Sequence, residues 1–123
     1  IITPKFRSPL KKSKNDRSYV FLIEGQILIP GDSTLLAERS WVKHLSHPQS
    51  IHTLILGHHG SRTSTSQGLI NALPYLKRTL VSARHKKYGH PHREVLKRLK
   101  KNHLPLVGTE EWNHIELDVI PLR

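Results

Sequence analysis

Thr53-Leu54-Ile55-Leu56-Gly57-His58-His59-Gly60-Ser61 is an apolar run that breaks into a pair of histidines flanked by glycine. The run before Gly57 is short and contains strand formers, so it is predicted as a strand. Glycine on either side lets the backbone adopt dihedrals that other residues avoid and pass close to a ligand. A layered α/β enzyme gathers its site where strands leave the sheet. Two other fragments share the pattern. Pro30-Gly31-Asp32-Ser33 follows a strand predicted over Ile27-Leu28-Ile29, and Tyr88-Gly89-His90-Pro91-His92 lies a few residues past one at Thr79–Ala83. Any one of these histidines alone reads as a surface or hydrogen-bonded core residue. Three such fragments in one chain weigh against coincidence.

Working outward, Ser18–Glu24 is a nearly continuous apolar run, and Gly25-Gln26 turns it into Ile27–Ile29, a predicted hairpin. Asp32 or Ser33 is expected to cap a helix reaching about His44, with Leu35, Leu36, Trp41, Val42 and Leu45 on one side. Ser64 or Ser66 is expected to cap a short helix through Leu73, which Pro74 ends. Pro91 reads as the first residue of a helix to Lys101, with an apolar stripe of Val95, Leu96 and Leu99. Strands are expected at Leu104–Val107 and at His114–Ile120, where strict alternation predicts one wet face. Neither an internal repeat nor a low-complexity linker occurs. Residues 1–123 therefore read as a single domain or part-domain, strand-rich with interleaved helices, and residues 1–14 as a basic loop.

Composition narrows the function. The 123 residues carry 20 Lys/Arg against 9 Asp/Glu, a formal charge of +11. Such a field attracts polyanions, nucleic acid first and an anionic membrane surface second. Ten basic residues fall between Lys77 and Lys101 with one acid, Glu94, among them. On the helix ending at Lys101, Arg93, Lys97 and Lys100 share one face. These three, with Arg84, Lys86 and Lys87 of the loop before it, are the candidate phosphate contacts. Cysteine is absent, which excludes disulfides and thiolate metal sites. A metal here must be held by His and Asp/Glu, which suits zinc or manganese. The chain begins Ile1-Ile2 and contains no Met, as expected of a piece of a longer or processed protein. It has no apolar run long enough to span a bilayer and no signal-peptide organisation.

Hydrolysing a phosphodiester needs an activated water and positive charge on the developing oxyanions. Two metal ions about 3.5–4 Å apart supply both when a carboxylate bridges them and imidazoles hold each. Asp32 suits the bridge, and His58 and His59 suit ligation. In an extended segment adjacent side chains point to opposite sides, so one of the two would reach the metal. His90, expected at a helix N-terminus, would meet phosphate where free N–H groups favour an anion. Asp32, His58 and His90 are thus the candidate catalytic residues.

Asn15-Asp16-Arg17-Ser18-Tyr19-Val20-Phe21-Leu22, then Pro-Gly-Asp, then Leu-Gly-His-His-Gly-Ser-Arg-Thr-Ser, then Tyr-Gly-His-Pro-His with Val95-Leu96 following, resembles the ComEC-type bacterial competence proteins. The likeness is to their carboxy-terminal metallo-β-lactamase-like domain and runs in order over residues 15 to about 117. It implies an αββα sandwich and a metal-dependent nuclease acting on incoming DNA. It further implies a parent in the bacterial inner membrane, with this domain facing the periplasm or cell exterior, and no small-molecule cofactor. By the same resemblance Asp32 matches the bridging aspartate and His58 a late metal ligand. His59, Ser61 and His90 match site-lining positions. The family's His-x-His-x-Asp-His motif lies upstream, and nothing like it occurs between Ile1 and Arg17. The resemblance therefore covers the second half of the domain, with one mixed sheet and flanking helices. The expected partners are DNA, the upstream half of the domain and the membrane channel domain of the parent. Two other readings stand beside it: a non-catalytic DNA-binding remnant, and a small-molecule hydrolase of the same fold.

Overall fold

The computed structural model describes residues 18–83 and 89–118. Five strands form one mixed α/β sheet: β1 (Phe21–Ile23), β2 (Ile27–Ile29), β3 (Thr53–Ile55), β4 (Arg78–Val81) and β5 (Leu106–Gly108). β1 and β2 are the expected antiparallel hairpin. Glu24 (φ 48°) and Gly25 (φ 68°) both turn left-handed, and Gln26 N–H donates to the Ile23 carbonyl at 2.9 Å. Two central residues of that hand match the twist of the strands they join. From β2 onward each strand lies parallel to the one before it and beside it. Crossovers that all step the same way with one hand place their helices on one face.

α1 (Leu35–Trp41), α2 (Gln67–Asn71) and α3 (Arg93–Lys101) occupy those crossovers, and a short α4 (Thr109–Trp112) follows β5. Leu28 and Leu54 pack with Ala37, Trp41, Leu69 and Leu73 in one core cluster; Leu56 and Val81 pack with Ile70, Val95 and Leu99 in a second. All three crossover helices therefore cover the same face of the sheet. The register puts Phe21, Ile23, Ile27, Ile29, Ile55, Leu80 and Val107 on the other face. Ile27 and Leu80 belong to neither core cluster, and Phe21 and Ile23 are more than two-fifths exposed.

Some boundaries differ from expectation. Thr34, one residue past the expected candidates, caps α1 by accepting from Ala37 N–H. Ser33 cannot, because its hydroxyl donates to the Pro30 carbonyl at 2.6 Å. Ser66 caps α2 as expected. α3 starts at Arg93 rather than Pro91, since the His92 ring accepts from Glu94 N–H at 3.1 Å and so occupies the capping position. Leu36 and Leu96 are more than a third exposed, so each apolar stripe is narrower than the sequence suggests. Residues 114–118 form no strand. Their alternation survives only as half-buried Ile115 and Leu117 between exposed neighbours, and α4 intervenes between β5 and this segment. Residues 1–14 and Arg84, Lys86 and Lys87 lie outside the described residues.

One buried carboxylate ties α1 to the loop before α2. Glu38 of α1 is 1% exposed and accepts from Thr65 N–H at 2.5 Å and Ser66 N–H at 2.9 Å. Arg98 of α3 donates to the Thr65 carbonyl at 2.7 Å. Burial pushes the Glu38 carboxyl up from its ordinary value near 4.5, against the backbone donors and the Arg98 guanidinium, which pull it down. Removing the acceptor leaves two interior N–H groups unpaired, at about 1–3 kcal/mol each. Glu38→Ala is expected to lower the unfolding free energy by about 3 kcal/mol in urea denaturation, with Glu38→Gln in between because its NH2 faces an N–H donor.

Candidate functional site

Parallel strands send all their carboxyl ends to one edge of a sheet, which is where open α/β folds hold ligands. Here that edge carries the turn after β2, the His-His turn after β3, Ser82-Ala83 after β4 and α4 after β5. A cleft of about 960 Å³ opens there, lined by His58, His59, Ser82, Ala83, His90, Thr109, Glu110 and Asn113. The structure thus brings together three of the histidines singled out in the sequence. The His58 and His90 rings meet edge to face with centroids 6.2 Å apart.

The turn that delivers them is strained. His58 (φ 47°) and His59 (φ 55°) are consecutive left-handed residues without glycine's freedom, followed by Gly60 at φ 80°. Non-glycine residues held so cost on the order of 1–3 kcal/mol each and cluster at functional sites. Three contacts fix the turn. His58 N–H donates to the Gly31 carbonyl at 2.8 Å, His92 N–H donates to the Gly60 carbonyl at 2.8 Å, and His59 Nδ1 lies 2.6 Å from the Ser82 carbonyl oxygen. A carbonyl can only accept, so His59 Nδ1 carries the proton, and in the neutral ring the lone pair is on Nε2. His58 Nδ1 is buried with no hydrogen-bond partner among the described residues.

The other candidates are placed differently. Asp32 is exposed on the turn whose Gly31 carbonyl holds His58, but it is not among the residues lining the cleft. Ser61 is 7% exposed and its hydroxyl pairs with Thr63, accepting from Thr63 N–H and lying 2.9 Å from Thr63 Oγ1. It shapes the loop rather than lining the cleft. His90 lies two residues before the α3 cap, so the expectation of a helix N-terminus passes to His92. Lys97 and Lys100 are exposed opposite buried Val95 and Leu99, as their spacing requires, and Arg93 is exposed at the start of the helix. Sequence reasoning missed Thr109, Glu110 and Asn113, which a predicted strand end did not flag. Outside the cleft, His52 lies at the opposite edge, its ring 2.8 Å from Thr53 Oγ1 and 3.1 Å from Gln26 Oε1. Burial lowers its pKa, with Arg78 and Lys77 adding to the effect.

The fit to a metal is partial. His58 Nδ1 and His59 Nε2 are imidazole donors of the right chemistry. Among the described residues, though, no group of three or more His, Cys, Asp or Glu side chains could hold an ion. A zinc site takes four protein donors when closed and three when one position is left open. These residues do not make a metal site by themselves, and no chemical step is derived through one.

The chain is similar to ComE operon protein 3 of Bacillus subtilis, at 26% identity over 119 residues. The match covers 94% of this chain and 15% of that protein, so the chain spans a small part of its relative's length. No family model matches, nor does any solved structure. Among the described residues no helix is long and apolar enough to cross a membrane.

Gly60 is where the site can be broken from its backbone. A Cβ there would lie 2.6 Å from Pro91 Cβ and 2.8 Å from Pro91 Cα, in a conformation that side chains rarely adopt. Gly60→Ala is expected to cost more than about 1 kcal/mol and to separate His90 from His58. Loss of nuclear Overhauser contacts between the two rings, alongside the thermal midpoint, checks it.

Proposed function

We propose that the cleft holds the phosphodiester backbone of DNA, and that the chain is one half of a hydrolytic domain in a competence protein. The observation that carries this reading is the convergence of His58, His59 and His90 in one cleft at the carboxyl edge of the sheet. The net charge of +11 supplies the long-range attraction for a polyanion. Similarity to a competence operon protein supports a role in DNA uptake. His90 in the cleft binds phosphate oxygens, and Arg93, Lys97 and Lys100 extend the cationic surface along α3.

Hydrolysis in this reading belongs to the assembled domain. The upstream half would bring the donors that complete a zinc or manganese site with His58 and His59, and with Asp32 on the neighbouring turn, where the metal would activate water. It also packs on the sheet face bearing Phe21, Ile23, Ile55 and Val107. None of the three crossover helices covers that apolar face, which is what a second sheet would cover, and burying its exposed part contributes about 25 cal/mol for each Å² removed from water. The fold then corresponds to one layer pair of a metallo-β-lactamase-like αββα sandwich. In this reading the parent sits in the bacterial inner membrane, with this domain on the outer side. A second reading, a DNA-binding module that catalyses nothing, is favoured by one observation. No three-donor group exists among the described residues.

Each phosphate contact gives a log–log salt slope of roughly −0.7 to −0.9. Lys97 and Lys100 project together from α3 without contributing to the core. Replacing both with Ala is expected to flatten the salt dependence of DNA binding by about one to two units while weakening all sequences alike. Fluorescence anisotropy at several salt concentrations measures it. An unchanged slope would take the DNA off this helix face.

A further inference from the structure

The amino edge of the sheet carries a second concentration of charge, on the far side from the cleft. Each crossover between parallel strands returns to that edge before it enters the next strand, so the segments before β3, β4 and β5 meet there. Lys43 follows α1, Lys77 and Arg78 lead into β4, and Lys101 ends α3. The His52 carbonyl accepts from Lys77 N–H at 2.9 Å and from Arg78 N–H at 3.2 Å, which ties the entry of β4 to the entry of β3. Neighbouring strands lie about 4.8 Å apart, so the entries of β3, β4 and β5 fall within roughly 10 Å along the edge. All four cations are exposed, and none is in an ion pair among the described residues. The segments 42–52, 72–77 and 101–105 contain no Asp or Glu, and the hairpin turn adds Glu24.

Helix ends account for Lys43 and Lys101, because cations favour the carboxyl end of a helix. They do not account for Lys77 and Arg78, nor for Tyr75 just before them. Tyr75 is 65% exposed, while Leu76 beside it packs against the first core cluster. Leu76 thus anchors a turn that holds a phenol ring in water two residues before a pair of cations. None of these residues lines the cleft. Cations spread along an edge by three crossovers, rather than gathered around a hollow, match a charged plane. Tyrosine settles at headgroup level between water and acyl chains, and Lys or Arg beside it meets the lipid phosphates. We propose that the amino edge, through Tyr75, Lys77 and Arg78, docks on an anionic bilayer surface, leaving the cleft at the opposite edge turned away from the bilayer. This goes beyond the DNA reading and does not depend on it.

The test uses the intact chain with two vesicle preparations, phosphatidylcholine alone and phosphatidylcholine mixed with phosphatidylglycerol, and a labelled oligonucleotide alongside. The chain is expected to float with the anionic vesicles and not with the neutral ones. Each cation held at such a surface strengthens binding about five-fold, so Lys77→Ala combined with Arg78→Ala is expected to weaken vesicle binding roughly 30-fold. Oligonucleotide affinity of the same double variant is expected to stay unchanged. Tyr75→Ser is expected to weaken vesicle binding at low and high salt alike, because salt screens charge and not the burial of a ring. All three side chains are exposed, and unchanged thermal midpoints confirm that the variants are folded. Failure to bind anionic vesicles at low salt, or vesicle binding that the double variant leaves intact, overturns the proposal. An equal loss for vesicles and oligonucleotide makes the edge a DNA contact and overturns it too.

Discussion

Everything at the carboxyl edge depends on the backbone of Gly57–Gly60. Its N–H at His58 is held by the Gly31 carbonyl, its carbonyl at Gly60 by His92 N–H, and the His59 ring by the Ser82 carbonyl. These contacts reach the loop after β2, the segment before α3 and the end of β4. Together they hold two consecutive histidines in a left-handed conformation that an isolated chain would leave. The strain persists because the surroundings over-determine it, and its effect is to turn both rings into one cleft. In an extended backbone the two would point to opposite sides. The left-handed turn is why His58 and His59 both line it.

Behind that turn the fold is simple. Four parallel strands in sequential order put every helical crossover on one face and every strand end at one edge. Glu38 and Arg98 then lock the loop that runs from the histidine turn into α2 against α1 and α3. Arg98 thereby does a different job from Lys97 and Lys100 on the same helix. Its guanidinium closes a backbone carbonyl, while the two lysines stay in water. The basic helix is thus part structural clamp and part cationic surface.

The hairpin, β3 and the Ser66 cap were legible because each rests on local chemistry: a glycine turn, a run of strand formers, a hydroxyl before an apolar pair. That the His58-His59 turn and the His90 segment gather at one edge was legible too, since parallel strands send their ends there; that both rings of the pair line the cleft was not, because an extended backbone would have parted them. What the sequence hid depends on partners far along the chain. Ser33 is diverted from capping by the Pro30 carbonyl, and His92 takes the cap that was expected to lie before Pro91. The alternation at 114–118 is real, but α4 lies between β5 and that segment, and alternation alone does not supply a strand to pair with. Glu38 reads as a surface acid in an amphipathic helix until Thr65 and Ser66 are seen beneath it. Thr109 and Glu110 sit in a four-residue helix too short for any periodicity to announce.

The central claim is that a phosphodiester enters between the imidazoles at the carboxyl edge. Following the ring signals of the histidines by heteronuclear NMR while a short oligonucleotide is titrated in tests it most directly. The account predicts that the His58, His59 and His90 rings shift together along one saturating curve. His47 and His52, which precede β3 at the opposite edge, should stay in place. Shifts that leave His58, His59 and His90 unmoved while DNA saturates the protein would contradict it.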